Sequence, residues 1–215
     1  MEPSLPWAAW QIRGDTVSGS TKKPEIIVFA GPNGSGKSTF TEVLRPKSIF
    51  YINADDIQRA LGCENLEAAK LAEARRESCL AAQRSFCFET VLSTDRNLLL
   101  LQRAKESGYF IRCYYVLTAS PYINVARVSG RVSAGGHDVP VDKIISRYHK
   151  ALALVPQLVP VCDVCHIYDN SDMVYRIFKK RKEQYWYSPL ESYWLKKDII
   201  ALTGVKTARR AALNQ

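Results

Sequence analysis

The sequence predicts an α/β protein built on a central parallel β-sheet of about five strands that is flanked by helices. Two observations predict this class. Short apolar runs alternate along the chain with helix-compatible stretches, which is the pattern of parallel strands joined by helical crossovers. The length of 215 residues suits one such domain with extensions and is too short for two sizeable α/β domains.

The strands are predicted from the short apolar runs. Residues 26–30 read Ile-Ile-Val-Phe-Ala, a continuous run of the kind that a strand buried on both faces requires. Comparable runs lie at residues 49–52, 86–88, 109–117 and 162–168. Helix-compatible stretches lie between them, one starting at Lys37 and two more covering residues 64–84 and 97–107. The chain therefore repeats a unit of strand, loop and helix.

The clearest helix is predicted over residues 140–155. Ile144 and Tyr148 belong to an apolar stripe along one side of it, while basic residues lie beside that stripe. Pro156 and Pro160 are expected to end this helix, because proline lacks the backbone N–H that a helix interior needs.

Basic charge is concentrated near the end of the chain. The net charge is +9, and residues 176–215 hold ten basic but only three acidic residues. We therefore expect a domain over residues 25–175, an N-terminal extension over residues 1–24 and a basic C-terminal extension over residues 176–215. A solvated face is the favoured interpretation of the basic segment. Nucleic acid is the less favoured partner, supported by aromatic neighbours such as Trp186 that could stack on bases.

Composition and the first residues exclude several classes. Hydrophobic residues make up 47% of the chain and charged residues 24%, which is typical of globular proteins and not of disordered or fibrous ones. No stretch approaches the twenty or so apolar residues that span a bilayer, so no membrane segment is expected. Residues 1–11 lack the basic and apolar regions of a secretory signal. We therefore expect a cytoplasmic protein.

The six cysteines are expected to be reduced and mostly buried. Cys162, Cys165 and His166 spell C-x-x-C-H, the pattern of a c-type haem attachment site. Haem attachment would need export, and a zinc site would need a second pair of ligands that the neighbouring sequence does not supply. A core strand is the preferred interpretation of these residues.

A glycine-rich loop follows the first predicted strand. Residues 31–38 read Gly-Pro-Asn-Gly-Ser-Gly-Lys-Ser and fit the pattern G-x-x-x-x-G-K-[ST] between a buried strand and a helix. Backbone N–H groups of such a loop surround phosphate oxygens, and the helix N-terminus adds positive potential. Lys37 is expected to bridge the β- and γ-phosphates of a nucleotide, and Ser38 to hold Mg²⁺. The loop thus predicts a P-loop NTPase or kinase fold that binds ATP and Mg²⁺.

The predicted ATP-binding residues are Gly31, Pro32, Asn33, Gly34, Ser35, Gly36, Lys37, Ser38, Thr39 and, beside the adenine, Asn170.

Polar side chains end the second and third predicted strands. Asp55 and Asp56 follow one of them, and Glu89 and Thr90 end the other. Because open α/β sheets carry their chemistry at the carboxyl ends of strands, these groups are expected to face the phosphates and the second substrate. A carboxylate there can accept a proton from a hydroxyl or hold Mg²⁺ through water. The alternatives are a helix N-cap for Asp55 or Asp56 and a structural salt bridge for Glu89.

A helical lid is predicted over residues 127–142. Arg127 and Arg131 are four residues apart and therefore lie on one face of a predicted helix, which a Gly-Gly-His-Asp-Val segment follows. Arginines placed over a γ-phosphate neutralise charge during phosphoryl transfer. Arg147 is a further candidate for substrate binding. Exposed positions on a solvated face are the alternative for each of these arginines.

Taken together, these motifs make the chain similar to the zeta toxin family of P-loop kinases. The resemblance covers about residues 25–175. Besides the glycine-rich loop, it rests on residues 53–57, Phe88 to Thr90, Arg127 to Arg131, residues 135–140, Arg147 with Tyr148, and residues 168–171.

The resemblance implies an enzyme that phosphorylates a hydroxyl of a small molecule, because zeta toxins phosphorylate the sugar of UDP-N-acetylglucosamine. It implies that Asp55 is the general base, that Glu89 binds the acceptor, and that Arg127 and Arg131 contact the γ-phosphate. It also implies an antitoxin protein as a partner. After Glu89 the sequence departs from the characterised toxins, which have Gly-Thr and then Arg there, so the acceptor stays open within this class.

Two other functions remain as alternatives. One is a kinase or ATPase that acts on nucleic acid through the basic C-terminal segment. The other is a non-catalytic ATP-binding member of a toxin–antitoxin pair. A transport-type ATPase is disfavoured, because the sequence has no Leu-Ser-Gly-Gly-Gln signature.

Overall fold

A computed structural model describes residues 23–133 and 139–211 of the chain. In these ranges the strands are β1 Glu25–Ala30, β2 Phe50–Ile52, β3 Phe86–Thr90, β4 Phe110–Leu117, β5 Val164–Asp169, β6 Tyr175–Arg181, β7 Gln184–Tyr187 and β8 Arg209–Arg210. The helices are α1 Lys37–Leu44, α2 Ala54–Leu61, α3 Asn65–Ala81, α4 Arg96–Glu106, α5 Pro121–Ser133, α6 Val141–Ala153, α7 Val155–Val161 and α8 Lys196–Thr203.

All the described strands join one sheet in the order β2-β3-β1-β4-β5-β6-β7-β8. The first five in that order pair in parallel, which confirms the predicted parallel sheet of about five strands. β6 then pairs antiparallel with β5, β7 antiparallel with β6, and β8 parallel with β7. β1 lies between β3 and β4, so the loop after β1 lies at the edge where both neighbouring strands also end.

The sheet is covered on both faces because its central strands are apolar on both sides. Along β1, Ile26 and Val28 pack into a large core with residues from α2, α3, α4, α7 and α8. Ile27 and Phe29, which point to the opposite face, pack into a smaller core with Phe40 of α1. These two cores hold the phosphate-loop strand rigidly in the middle of the molecule.

The basic C-terminal segment belongs to this sheet, which corrects the expectation that residues 176–215 form an extension outside the domain. The expected boundary falls inside β6, whose Ile177 and Phe178 are fully buried. Trp194 and Ile199 also join the large core. β6 contains four basic residues around the apolar pair Ile177 and Phe178, so the count of charge did not indicate a buried strand. The expected N-terminal extension lies outside the described residues, apart from its last two positions.

The helix predicted over residues 140–155 corresponds to α6, Val141–Ala153, and a second helix, α7, follows it. α6 ends at Ala153, and α7 begins at Val155 with Pro156 in its first turn, where no backbone N–H is needed. Pro160 lies inside α7, so the prediction that both prolines end the helix is wrong. The buried ammonium of Lys180 donates hydrogen bonds of 2.9 and 3.0 Å to the carbonyls of Val159 and Pro160, which satisfies this helix end.

Among the described residues, no helix combines the length and the apolar character that crossing a bilayer requires.

Candidate active site

The loop between β1 and α1 has a positive φ at Gly31, Gly34 and Gly36, and the first two also pack against neighbouring backbone. Gly31 has a φ of +139°, and a Cβ there would lie 1.9 Å from the Val116 carbonyl oxygen of β4. Gly34 has a φ of +76°, and a Cβ there would lie 2.7 Å from the Asn124 carbonyl oxygen. Side chains at these positions would therefore force the loop away from β4 and α5.

A chain of hydrogen bonds connects this loop to helices α5 and α6. Asn124 of α5 donates a 2.6 Å hydrogen bond to the Asn33 carbonyl, and Thr118 donates to the Asn124 side-chain oxygen. Tyr148 of α6 in turn donates a 2.6 Å hydrogen bond to the Thr118 carbonyl. The sequence analysis missed Asn124. An asparagine among the apolar positions of a predicted helix was the available signal, but its partner lies far away in sequence.

Asn170, expected beside an adenine, contacts the loop itself. Its side-chain amide donates a 2.8 Å hydrogen bond to the Ser35 carbonyl. This contact is a second tether of the loop, two residues after the one that Asn124 makes to Asn33. Asn170 thus shapes the candidate ATP site by supporting its backbone.

Two polar atoms of the loop are buried without a hydrogen-bond partner, the Asn33 side-chain oxygen and the Ser35 hydroxyl. A buried polar group without a partner costs free energy until a ligand, an ion or water supplies one. Loop carbonyls are held by Asn124 and Asn170, which leaves backbone N–H groups of the loop for an anion. The loop residues therefore fit a polyphosphate.

Lys37, at the first position of α1, lies at the centre of the charged groups. Its ammonium donates a 2.9 Å hydrogen bond to the Pro32 carbonyl. Burial lowers the pKa of Lys37 to about 8; the positive charge of Arg131 also lowers it, while the negative charges of Glu89 and Asp55 raise it. Arg131, Glu89 and Asp55 therefore lie close enough to Lys37 for their charges to change its pKa.

Glu89, at the end of β3, is held by two hydroxyl groups. The Ser38 hydroxyl donates a 3.1 Å hydrogen bond to one carboxylate oxygen, and the Tyr51 hydroxyl donates a 2.9 Å hydrogen bond to the other. Asn53 donates a 2.8 Å hydrogen bond to the Tyr51 hydroxyl. Burial and then the Glu89 charge raise the pKa of Tyr51, so its hydroxyl stays protonated and remains a donor. Tyr51 is a second residue that the sequence analysis missed.

The two aspartates that follow β2 have different surroundings. Asn53 is the N-cap of α2 and accepts a 2.9 Å hydrogen bond from the Asp55 backbone N–H, so neither aspartate is the cap. Both carboxylates are exposed. That of Asp56 forms an ion pair with Arg59, whereas that of Asp55 has no partner among the described residues. Asp55 is thus the one available to a substrate.

Thr90 has a local structural role. Its hydroxyl accepts hydrogen bonds of 3.0 Å from the Leu92 backbone N–H and 2.9 Å from the Asn97 side chain. Its carbonyl accepts a 3.1 Å hydrogen bond from the Gly31 N–H. Thr90 therefore connects β3 to the phosphate loop and is buried instead of facing a cleft.

The predicted lid arginines are placed differently from one another. Arg127 donates a 2.8 Å hydrogen bond to the Ser171 carbonyl, which ties α5 to the segment after β5. Arg131, one helical turn later, is exposed, and its positive charge contributes to the lowered pKa of Lys37. Arg147 is half-buried on α6 and makes no hydrogen bond or ion pair within the described ranges. Residues 134–138, which include most of the expected lid loop, lie outside the described residues.

Ser38 and Thr39 are exposed in the first turn of α1. Lys37 and Ser38 lie near the carboxylates of Glu89 and Asp55 at the carboxyl edge of the sheet, which makes this edge the candidate site.

Comparisons with known proteins agree with this fold. No protein-family model matches the chain. An uncharacterised protein of Haemophilus influenzae is 28% identical over 129 residues, which cover 58% of this chain and 92% of that protein. A structure from the PezAT chromosomal toxin–antitoxin system of Streptococcus pneumoniae has a TM-score of 0.53 at 20% identity, over 74% of this chain and 72% of its own.

The AvrRxo1-ORF1:-ORF2 structure with ATP has a TM-score of 0.60 at 12% identity, over 91% of this chain and 67% of its own. Identities this low establish the fold alone. The chain therefore shares its α/β fold with the PezAT and AvrRxo1 structures.

Proposed function

We propose that the chain is an ATP-dependent kinase that transfers the γ-phosphoryl group of ATP to a hydroxyl of a small molecule. The observation that carries this proposal is the placement of Lys37, Ser38, Glu89 and Asp55 around one glycine-rich loop. A nucleotide sugar such as UDP-N-acetylglucosamine is the acceptor class that the resemblance implies.

ATP binding is proposed for residues 31–39. The glycine backbone, the orphaned Ser35 hydroxyl and the ammonium of Lys37 provide donors for a triphosphate. Asn170 supports this loop through its hydrogen bond to the Ser35 carbonyl. The AvrRxo1 structure contains ATP in a similar fold, which supports the choice of nucleotide.

Mg²⁺ fits beside Ser38 and Glu89. The Ser38 hydroxyl donates its hydrogen bond to Glu89, so its oxygen lone pairs remain available to a cation. The Glu89 carboxylate can hold water molecules of the ion. When bound, Mg²⁺ neutralises negative charge on the phosphates. Since both Glu89 oxygens are already engaged, we assign this carboxylate to the metal and Ser38 in preference to the acceptor.

The general base is proposed to be Asp55. Its carboxylate is exposed, lacks a protein partner in the described ranges, and is close enough to raise the pKa of Lys37. It can therefore accept the proton of an acceptor hydroxyl on the phosphate side of the sheet. Asp56 carries the same charge but is held by Arg59.

The charge on the moving phosphoryl group is proposed to be stabilised by Lys37 and Arg131. Arg131 is exposed, and it is near enough to Lys37 for its positive charge to lower the pKa of that lysine. It can therefore contact a γ-phosphate bound at Lys37. Arg127 is proposed to hold α5 in place through Ser171. Arg147 and Thr90 remain candidates for acceptor binding by residue type, without a contact that favours them.

The proposal is tested by incubating the purified chain with ATP, Mg²⁺ and a metabolite extract, and by searching the products by mass spectrometry. We expect a new species that is heavier than an extract component by one phosphoryl group. The control is Lys37→Ala, which should lower the yield by about a hundredfold. ATP binding without any phosphorylated product would instead support the non-catalytic alternative, in which the chain acts with an antitoxin-like protein partner.

A nucleic-acid acceptor is the second candidate, and the C-terminal strands favour it. The Lys179 ammonium lies 5.2 Å from the Trp186 ring centroid, and burial followed by the positive charges of Arg176 and Arg181 lowers the pKa of Lys179. Clustered cations beside an aromatic ring suit a phosphate backbone with stackable bases. Binding to single-stranded RNA or DNA should then weaken steeply as salt is raised. Absent or salt-insensitive binding would exclude this candidate.

A further inference from the structure

Three cysteines from separate parts of the sequence meet in the large core. Cys113 of β4 and Cys165 of β5 are register partners on neighbouring parallel strands, and Cys162 follows the end of α7. Their sulfur atoms all lie within 4.8 Å of one another. All three thiols are free, and each residue is at most 1% exposed. Strand pairing supplies the third thiol that the C-x-x-C pair lacks in the sequence.

The spacing of the three sulfur atoms suits a metal ion bound by thiolates. A zinc–sulfur bond is about 2.3 Å long, so sulfur ligands of one ion lie roughly 4 Å apart. The observed upper limit of 4.8 Å requires only small side-chain movements to reach that separation. Thiolate sulfur prefers soft or borderline ions such as Cu⁺ and Zn²⁺ to Mg²⁺ or Ca²⁺.

A buried positive charge lies close to this cluster. Lys180 of β6 is 2% exposed, and its ammonium bonds to the carbonyls of Val159 and Pro160 without a carboxylate partner in the described ranges. An ammonium is costly to bury without negative charge nearby. The Lys180 ammonium would therefore offset negative charge on thiolates that bind a metal ion in this core.

An independent observation is the hydroxyl of Tyr115, which is fully buried and has no hydrogen-bond partner. Tyr115 lies two residues after Cys113 and joins the same core. A buried hydroxyl without a partner costs free energy until a ligand or an ion supplies one, so Tyr115 is a candidate to complete a site in this core.

We propose that Cys113, Cys162 and Cys165 bind one thiophilic d¹⁰ metal ion, Zn²⁺ or Cu⁺. Zn²⁺ would displace three thiol protons to solvent, and the resulting net charge of minus one would be offset by Lys180. Cu⁺ would displace two protons and leave one thiol protonated, with the same net charge. Three sulfur ligands in a dry core suit Cu⁺, whereas Zn²⁺ commonly takes a fourth ligand, for which the Tyr115 hydroxyl is the candidate.

This site is separate from the proposed nucleotide site and does not depend on kinase activity. Because all three thiols are buried, the ion is expected to enter while the chain folds. The site would therefore be structural and would connect β4, β5 and the end of α7. Metal-free protein should then unfold at a lower temperature than metal-loaded protein.

The test measures bound metal in the full chain, purified under reducing conditions and also refolded with either ion. Elemental analysis by mass spectrometry gives the zinc and copper content per chain. Refolding with Co²⁺ as a zinc probe should produce sulfur-to-metal charge-transfer absorption. Competition with a Cu⁺-specific chelator under anaerobic conditions tests the copper form. The matched variants are Cys113→Ser and, as a control, Cys87→Ser, since Cys87 is fully buried in the smaller core on the opposite face of the sheet.

We expect one ion per wild-type chain, unchanged content in Cys87→Ser, and at least a tenfold weaker affinity in Cys113→Ser. Binding of neither ion by wild-type chain, in purified or refolded form, would overturn the proposal, as would equal binding by wild type and a folded Cys113→Ser variant. If circular dichroism shows that the Cys113→Ser variant does not fold, the wild-type chain is alkylated during partial unfolding with and without metal. Bound metal should slow the alkylation of Cys113, Cys162 and Cys165 together. Slower alkylation of fewer than these three cysteines would refute the site.

Discussion

The Ser38 hydroxyl donates a 3.1 Å hydrogen bond to the Glu89 carboxylate, and this contact joins the first turn of α1 to the end of β3. Tyr51 and Asn53 extend it to the start of α2, which carries Asp55. Three elements that are distant in sequence therefore hold the proposed metal, phosphate and base positions in one arrangement.

Glu89→Gln should lower turnover by about a hundredfold and raise the Mg²⁺ concentration needed for activity, because a neutral amide holds water of a cation less well. Glu42→Gln is the matched control, since Glu42 is exposed on α1 and has no partner in the described structure. The measurement is the initial rate of product formation as a function of Mg²⁺. A wild-type Mg²⁺ dependence in Glu89→Gln would contradict the assignment of this carboxylate.

Asp55→Asn should abolish phosphoryl transfer and leave ATP affinity nearly unchanged, because the base acts on the acceptor and not on ATP. Asp56→Asn removes the neighbouring charge, which Arg59 already holds, and should keep most of the activity. Product assays give the rate, and calorimetry gives the dissociation constant for ATP. Equal losses in the two variants would refute the role of Asp55.

Gly34→Ala should prevent ATP binding, because its Cβ would meet the Asn124 carbonyl and distort the loop. Gly62→Ala serves as the control. Gly62 also has a positive φ, of +63°, but open space surrounds it. Both variants should lose about 1 kcal/mol of stability from the left-handed backbone. Thermal unfolding and ATP titration separate the two effects, and normal ATP affinity in Gly34→Ala would count against the loop as the nucleotide site.

ATP binding should take up a proton near pH 8. Burial lowers the pKa of Lys37 to about 8 in the free chain, so a fraction of this amine is neutral there. A polyphosphate beside the amine favours its charged form and raises its pKa. Calorimetry in two buffers of different ionisation enthalpy measures the uptake, which should disappear in Lys37→Met. The same heat in both buffers for the wild-type chain would show that Lys37 does not contact the phosphates.

His166 should make the fold sensitive to acid. Burial, followed by the positive charges of Arg176, Lys179 and Arg112, lowers the pKa of His166 to about 3. Between about pH 6.5 and 3 the unfolded chain therefore binds a proton at this histidine that the folded chain does not, and stability falls as pH falls. His166→Phe should flatten this part of the profile. Urea unfolding at a series of pH values measures it, and parallel profiles would contradict the prediction.

The parallel part of the fold could be predicted from the sequence because each strand is a short apolar run between turn signals. The strands β6 to β8 could not, because β6 mixes Ile177 and Phe178 with four basic residues. Two long-range contacts identify this strand in the structure: β6 pairs with β5, and Lys180 donates hydrogen bonds to the end of α7. Local charge counts carry no information about such pairing.

The residues of the candidate site that belong to short sequence motifs could be predicted from the sequence. The glycine-rich loop and the acids after β2 and β3 are local patterns, so their residues were identified. Asn124 and Tyr51 were missed because their partners, Asn33 and Glu89, lie 91 and 38 residues away. The different surroundings of Asp55 and Asp56 also depend on the folded helix, where Arg59 reaches only one of them.

The central claim is that this chain moves the γ-phosphoryl group of ATP onto an alcohol. The most direct measurement uses ATP with a radiolabelled γ-phosphate, a fractionated small-molecule extract, and wild-type, Asp55→Asn and Asp56→Asn proteins in parallel. The account predicts label in an organic phosphate ester with the wild-type and Asp56→Asn proteins and none with Asp55→Asn. Label that stays on ATP or appears only as inorganic phosphate with the wild-type protein would contradict it.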